Sequence, residues 1–162
     1  KNKSIAELTD WNIYSPVWAP VSLEDQWLKL QDKDPFDYAK VERKIPASKE
    51  LKVSFDLKAG QNNKGTLHIE FLDENGIACS RIELTDDGIF RLKGGSRFAN
   101  MMKYEAGKIY HVEAVLSTVD RNIQVYVDGK RVGLRMFYAP VAAVERIVFR
   151  TGVPRTLSLI HI

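Results

Sequence analysis

The sequence predicts an all-β protein, a two-sheet antiparallel β-sandwich of roughly ten to twelve strands with almost no helix. Apolar and polar residues alternate along most of the chain, which is the pattern of half-buried strands. Short segments rich in Asp, Asn and Gly separate these runs, and such residues favour tight turns. The runs recur about every 8–12 residues, as they do in sandwiches and barrels.

Composition favours a single globular domain. The chain has 162 residues, of which 44% are hydrophobic and 28% are charged, which suits one sizeable core. No apolar run approaches the roughly 18 residues of a membrane-spanning helix, so we expect no membrane span. The 24 basic residues are interleaved with 21 acidic ones, so we expect no nucleic-acid partner.

The alternation assigns inward-facing residues strand by strand. The segments SIAELTD and PVAAVERI are the only short helix candidates. Residues 1–22 are predicted to be an irregular lead-in that can contain a first strand, and residues 23–156 to form the sandwich. Trp18–Trp27 is interpreted as irregular chain before a strand at Trp27–Gln31. The predicted inward residues are Val53, Phe55, Leu57, Leu67, Ile69, Phe71, Ile82, Leu84, Phe90, Leu92, Tyr110, Val112, Ala114, Leu116, Val125, Val127, Ile147 and Phe149.

Two segments that mimic functional motifs are interpreted as turns. In QVYVDGKRVG, Asp128 precedes Gly129 between two alternating runs, which is a strong hairpin signal. The segment Gly60–Thr66 has the glycines of a phosphate-binding loop, but Lys64 precedes its second glycine and a strand follows. We therefore expect a hairpin loop there and a chain reversal at Asp128.

The last six residues, Leu157–Ile162, read LSLIHI and match one reading frame of a sequencing-adapter end. They are predicted to be a non-native tail, with the natural chain continuing beyond Thr156. The alternative is a genuine last strand. The first residues, KNKSIAELTD, show no initiator methionine and no signal-peptide pattern, so we expect that processing or fragmentation removed what came before them.

No catalytic signature is recognised. Cys79 is the only cysteine and lies in a strand-like run, so it is interpreted as a buried apolar residue. His68, His111 and His161 lack metal-ligand spacing. Glycoside hydrolysis needs two carboxylates on one face, whereas Glu70 and Asp73 are three apart on a strand and face opposite sides. No catalytic residue is therefore predicted.

An acidic loop offers one metal candidate. Asp32, Asp34 and Asp37 lie in QDKDPFD between two predicted strands, and oxygen-rich loops of this kind can bind calcium when a second segment adds ligands. The favoured interpretation is a solvated turn containing Pro35. Calcium held by Asp32 and Asp34 is the alternative, and no other cofactor is expected.

Outward-facing polar and aromatic side chains are candidates for sugar binding, because sugars stack on aromatic faces and donate hydrogen bonds to planar polar groups. Each of these positions alternates with core residues. An aromatic side chain on a solvent-facing strand position is more often a cross-strand packing partner than a ligand contact. The candidate carbohydrate-binding residues are Trp27, Arg81, Glu83, Arg91, His111 and Tyr126.

Two segments carry a resemblance to a known superfamily. YEAGKIY (Tyr104–Tyr110) precedes a long strand, and VYVDGK (Val125–Lys130) forms a hairpin. With the order of strands over residues 23–152, they resemble the concanavalin A-like lectin and glucanase superfamily, and most closely its laminin-G-like and family-16-like jelly-roll modules in bacterial polysaccharide-degrading proteins. The resemblance implies a jelly roll that binds glycans or packs against a catalytic domain in the same chain.

Three hypotheses follow. The leading one is a non-catalytic carbohydrate-binding or accessory module of a larger secreted or periplasmic bacterial protein, such as a glycoside hydrolase, a sialidase-like protein or a polysaccharide lyase. The second is a structural module that docks on a neighbouring catalytic domain without binding sugar. The third is a hydrolase or lyase with an atypical site, for which we expect two facing carboxylates and one strongly raised pKa.

Overall fold

The structure is a computed structural model that describes residues 5–152 and 158–161. These residues contain a single 3-10 turn, Ile5–Glu7, and fourteen strands. The strands are β1 (Trp11–Tyr14), β2 (Val21–Glu24), β3 (Trp27–Asp32), β4 (Lys40–Ser48), β5 (Glu50–Ala59), β6 (Leu67–Leu72), β7 (Ala78–Leu84), β8 (Ile89–Gly94), β9 (Arg97–Lys103), β10 (Ile109–Ser117), β11 (Asn122–Val127), β12 (Lys130–Met136), β13 (Val144–Thr151) and β14 (Ser158–His161).

The strands form two seven-stranded sheets. Sheet A has the order β1-β4-β13-β6-β7-β8-β9, and sheet B has the order β12-β11-β10-β5-β14-β3-β2. Neighbouring strands pair antiparallel in both sheets. The predicted all-β, two-sheet antiparallel architecture is confirmed for the described residues.

The core lies between the sheets and contains the residues that alternation predicted. Sixteen of the eighteen predicted inward side chains are buried, including Phe71, Phe90 and Leu92 with no exposed surface. Val53 and Phe55 on β5 are only half-buried, because they face an open part of the sandwich described below. Cys79 is fully buried, and burial raises the pKa of its thiol to about 12, as expected of an inert core cysteine.

Asp128 turns the chain between β11 and β12, as predicted. Its φ is +49° and that of Gly129 is +80°, the left-handed pair that a two-residue hairpin needs. The Asp128 carboxylate Oδ1 accepts a hydrogen bond from the backbone N–H of His111 at 2.9 Å. This carboxylate is therefore used in holding the hairpin against β10.

The first part of the chain is more regular than predicted. Val21–Glu24 forms β2, and Asp25 and Gln26 turn into β3 with φ values of +47° and +70°. The interpretation of Trp18–Trp27 as irregular was wrong because an Asp-Gln turn lacks the glycine by which such hairpins are recognised. Strand β1 lies inside residues 1–22, and β2 spans the boundary predicted at residue 23.

Two further local predictions were wrong. Gly60–Thr66 connects β5 of sheet B to β6 of sheet A, so it is a crossover between sheets and not a hairpin loop. In PVAAVERI no helix forms, because β13 begins at Val144 and pairs with β4 and β6. The β-branched residues of this segment fit a strand better than a helix.

Ser158–His161 forms β14 in the interior of sheet B, between β3 and β5. Ile160 is buried, with 3% of its surface exposed. Pairing of these residues says nothing about the origin of their codons, so the adapter-derived tail stays a prediction. Leu157 and Ile162 lie outside the described residues.

Candidate functional site

The six predicted carbohydrate-binding residues lie in three different places. Arg81, Glu83 and Arg91 are close together on the outer face of sheet A. His111 and Tyr126 are on the outer face of sheet B, and Trp27 lines a cleft at one side of the sandwich. Four strand spacings, about 19 Å, separate β11 from β3 in sheet B. The predicted residues therefore do not form one patch.

The strongest cluster is a network of ion pairs, which we call the polar face. Arg91 Nη2 donates to Glu83 Oε1 at 2.6 Å, and Arg150 Nε donates to Glu70 Oε1 at 2.6 Å. Arg81 Nη2 lies 3.3 Å from Glu70 Oε2. These side chains come from β6, β7, β8 and β13, which are neighbours in sheet A. The members of the polar face are Lys40, Glu42, His68, Glu70, Arg81, Glu83, Arg91, Val148 and Arg150.

Charge–charge contacts set the protonation states at the centre of this face. Burial alone would raise the pKa of Glu70, but the hydrogen bond and charge of Arg150, with the charge of Arg81, lower it below its usual range. Burial, together with the charges of Arg150 and Arg81, lowers the pKa of His68 to about 4. Glu70 is therefore ionised and His68 neutral at neutral pH.

This electrostatic state bears on the hypothesis of an atypical catalytic site. Glu70 and Glu83 lie on adjacent strands and point to the same side, so the face does contain two neighbouring carboxylates. A general acid needs a raised pKa, whereas the pKa of Glu70 is lowered. Glu83 is held by Arg91. Both carboxylates thus form ion pairs with arginines.

A shallow depression of about 280 Å³ lies beside Glu70. Val148 forms its floor, and Tyr38, Lys40 and Arg150 stand around it. The ring of Tyr38 packs on Tyr14 with centroids 5.1 Å apart. An aromatic side chain and two cations around an apolar floor can receive a sugar ring together with its hydroxyl or carboxylate groups.

The other end of the polar face is bordered by two aromatic rings. The Arg91 guanidinium lies 4.1 Å from the centroid of Phe98, and Lys93 Nζ lies 4.3 Å from that of Tyr138. Phe98 is 36% exposed. The Nε atoms of Arg81 and Arg91 are buried and have no hydrogen-bond partner in the described part of the chain. The face thus combines aromatic edges with arginine side chains.

The outer face of sheet B has fewer features that suit sugar binding than the polar face has. His111 Nδ1 is 2.8 Å from Asp56 Oδ1, and both side chains are 55% exposed. Tyr126 OH donates to Gln124 Oε1 at 3.0 Å. These are cross-strand and same-strand pairs of an ordinary solvated sheet.

Trp27 lines a cleft of about 640 Å³ that we call the strand gap. Its walls are β3, at Trp27 and Leu28, and β5, from Leu51 to Asp56, and its floor includes Ile147 and Phe149 of sheet A. The lining is mostly apolar. Trp27 therefore lies in a different part of the fold from the arginine candidates on sheet A and from the tyrosine candidate on sheet B.

The carboxylates of Asp32 and Asp34 accept hydrogen bonds from protein donors. Asp32 is 2% exposed, and its oxygens accept from the Asp34 backbone N–H at 3.0 Å and from Thr151 Oγ1 at 2.9 Å. Asp34 Oδ1 accepts from the backbone N–H of Phe36. Within residues 5–152 and 158–161, no three His, Cys, Asp or Glu side chains are grouped as metal ligands, whereas calcium takes six to eight oxygens.

The contacts of Asp32 indicate a structural role instead. Thr151 Oγ1 also accepts from the backbone N–H of Ala39 at 2.9 Å, so Asp32 of sheet B is linked through Thr151 of sheet A to the chain entering β4. We expect Asp32→Ala to lower the free energy of unfolding by about 2–3 kcal/mol, and Asp34→Ala to change it by less than about 1 kcal/mol. Urea denaturation measures both.

Calcium is the control for this pair of variants. Adding calcium or a chelator should leave the melting temperature of the parent chain unchanged, because the Asp32 oxygens are already occupied by protein donors. A calcium-dependent rise in melting temperature that both Asp32→Ala and Asp34→Ala abolish would establish the metal site and contradict the structural role.

Several members of the candidate site were not found from the sequence. Glu70 was considered only against Asp73, its neighbour along the chain, and Arg150 follows a run assigned to the core. Both are outward residues on their strands, and the alternation in the sequence already indicated this orientation. Their meeting required the β13–β6 pairing of Arg150 with His68, and that pairing joins residues about eighty positions apart.

The fold and the polar face together define a class of protein, a lectin-like β-sandwich that presents charged and aromatic side chains on one sheet. A family model described as "Sialidase-like, CBM domain" matches residues 11–160. The chain therefore belongs to the sialidase-like carbohydrate-binding-module family. The prediction of a carbohydrate-associated sandwich module is confirmed.

Solved structures support this placement. A chain named "Sialidase" is 74% identical, with a TM-score of 0.95, over 98% of this chain and 17% of its own length. This chain thus spans less than a fifth of that protein. Bacillus licheniformis β-glucanase has a TM-score of 0.65 at 11% identity, over 93% of this chain and 88% of its own. The binding domain of botulinum neurotoxin DC, in complex with SialylT, has a TM-score of 0.63 at 16% identity, over 93% of this chain and 40% of its own.

The last two likenesses concern the fold alone, and they agree with the antiparallel β-sandwich that the sequence predicted. No curated protein matches the chain at a significant level. The described part of the chain contains no helix with the length and hydropathy that a membrane crossing requires.

Proposed function

We propose that this chain is a non-catalytic glycan-binding module of a larger sialidase-like protein, and that the polar face of sheet A is its binding surface. Membership of the carbohydrate-binding-module family carries the proposal. The 74% identity to part of a sialidase supports the parent's class. A glycan ligand also supports export of the parent, because complex glycans lie mainly outside the cytoplasm.

The arrangement of side chains favours sheet A over sheet B as the binding surface. Three predicted residues, Arg81, Glu83 and Arg91, lie there together with a depression bordered by Tyr38 and Lys40. In such a site arginines and carboxylates, held rigid by one another, meet sugar hydroxyls with little loss of side-chain entropy. Flanking aromatic rings would cover the apolar faces of the sugar.

Affinity electrophoresis and glycan-array binding test this surface. Sialylated mucin glycans are the first probe, compared with the same glycans after sialic acid removal. Lys40→Ala and Arg91→Ala should each weaken binding by about tenfold or more, since each removes a charge-assisted contact. The matched controls are His111→Ala and Tyr126→Ala on sheet B, which should bind as the parent chain does.

Two outcomes would contradict the proposal. If the sheet B variants lose binding and the sheet A variants keep it, the surface has been assigned to the wrong sheet. If the parent chain binds nothing across a broad panel of host and plant glycans, glycan binding itself is wrong. Incubation with sialosides should release no free sugar, because Glu70 is ionised and tied to arginines.

A second candidate function is docking on a neighbouring domain of the same protein. The apolar strand gap supports it, because an opening of this size lined by Trp11, Trp27 and Phe55 is a typical contact surface. Docking at the gap and glycan binding on sheet A use different parts of the molecule, so both can operate in one protein.

A further inference from the structure

The strand gap has the shape of a vacant position in sheet B. Strand β14 lies between β3 and β5, but it pairs with β3 only at Lys29–Asp32 and with β5 only at Lys58 and Ala59. Beyond this point no strand among the described residues lies between Trp27 and Leu28 on one side and Glu50–Leu57 on the other. Two strand edges therefore face each other across the cleft.

Burial changes abruptly where β14 stops. On the inward face of β5, Leu57 and Ala59 are 1% and 2% exposed, whereas Leu51, Val53 and Phe55 are only half-buried. Arg43 alternates with buried Val41 on the inward face of β4, yet it is exposed and lies over the ring of Trp11. The core is complete beside β14 and open beyond it.

The register of β14 leads directly into the opening. His161 is paired with Lys29 of β3 and with Lys58 of β5. A strand that continued this antiparallel register would lie opposite Leu28 and Leu57, and then opposite Trp27 and Asp56. Ile160 is buried, so the inward side chains of such a strand would stand at even spacings from Ile160.

We propose that the strand gap holds an extended polypeptide segment that continues β14 in the parent protein, pairs with β5 from Leu57 towards Leu51, and pairs with β3 at Leu28 and Trp27. Its inward side chains are apolar and pack on Phe149, Ile147 and Ile45. The free edge of β5 from Leu57 to Leu51 has room for about six residues, or about 20 Å of strand. Backbone pairing on two edges selects a strand and not a sugar.

Two designed extensions test the proposal. Six residues are added after Ile162 of the whole chain, either as TVTVTV, which places valine at every inward position, or as VTVTVT, which has the same composition in the opposite phase. The first should raise the melting temperature by about 5–10 °C and slow amide hydrogen exchange along Leu51–Phe55. The second should do neither, because it would bury threonine hydroxyls.

A blocking variant separates pairing in the gap from general stabilisation. Val53→Lys places a charged side chain into the gap at a half-exposed position, so the chain should fold while TVTVTV gives little or no gain. The parent protein's own residues after Thr156, in place of Leu157–Ile162 and TVTVTV, should reproduce the gain. Equal effects from the two phases, or a full gain in the Val53→Lys background, would overturn the proposal.

Other occupants give different results and would also overturn it. If Val53→Lys or Trp27→Ala abolishes binding to a glycan that the parent chain binds, the gap is a sugar site. If the parent chain is dimeric by analytical ultracentrifugation and Val53→Lys makes it monomeric, a second copy fills the gap. Glycan binding through Lys40 and Arg91 is measured separately, so either proposal can fail while the other holds.

Discussion

Replacing Glu70 with alanine should lower the free energy of unfolding by about 3 kcal/mol. Glu70 is 7% exposed and accepts hydrogen bonds from Arg150 Nε at 2.6 Å and Arg81 Nη2 at 3.3 Å. Without the carboxylate, two partly buried guanidinium groups on one sheet face repel each other and lack a counter-ion. Chemical denaturation at pH 7.5 measures the loss.

A surface ion pair provides the matched control. Glu113 lies 2.9 Å from Lys52, but these side chains are 26% and 66% exposed, and exposed pairs of this kind contribute little. Glu113→Ala should therefore change the free energy of unfolding by less than about 1 kcal/mol. Glu70→Gln should fall between Glu70→Ala and the parent chain, because the amide oxygen can still accept from Arg150. If Glu70→Ala is no more harmful than Glu113→Ala, the network does not stabilise sheet A.

Acid should weaken the fold through His68. Its pKa is lowered from 6.5 to about 4 by burial and by Arg150 and Arg81. Between these two pH values the unfolded chain binds a proton that the folded chain does not, so stability is full above about pH 6.5 and falls as the pH drops towards 4. The contribution is about 3 kcal/mol.

The comparison that isolates this effect uses His68→Gln, which stays neutral at every pH. Urea unfolding of both proteins between pH 7.5 and 4 should give a steeper loss for the parent chain, by about 3 kcal/mol over the range. Glu70, whose pKa is lowered, adds a loss at lower pH in both proteins. Parallel pH profiles for the two proteins would show that His68 is not held neutral by the polar face.

Much of the fold could be predicted because alternation reports burial directly. The inward residues of β6, β7, β8, β10 and β11 could be predicted from their spacing alone, and the Asp128–Gly129 dipeptide indicated the hairpin between β11 and β12. Val53 and Phe55 have the same alternation but are half-buried. Local sequence says which way a side chain points, but not whether a neighbouring strand covers it.

The candidate site was only partly predictable, because sheet order decides which outward residues meet. Arg81, Glu83 and Arg91 belong to consecutive hairpin strands, and they came together as sequence proximity suggests. Trp27, His111 and Tyr126 were equally plausible as outward residues, yet the topology places them elsewhere. Glu70 and Arg150 meet through the pairing of β6 with β13, a contact between distant segments that no local pattern encodes.

The position of β14 also affects how the molecule can assemble during translation. Among the described strands, β2 and β3 connect to the rest of sheet B through β14, which the ribosome makes more than a hundred residues after β3. Until then the early hairpin has no backbone partner on its inner edge. Pairing between strands so far apart in sequence raises the contact order and slows folding. Newly made chains should therefore pass through a stage in which sheet B is split into two parts. The exposed strand edge at this stage is one that chaperones can recognise.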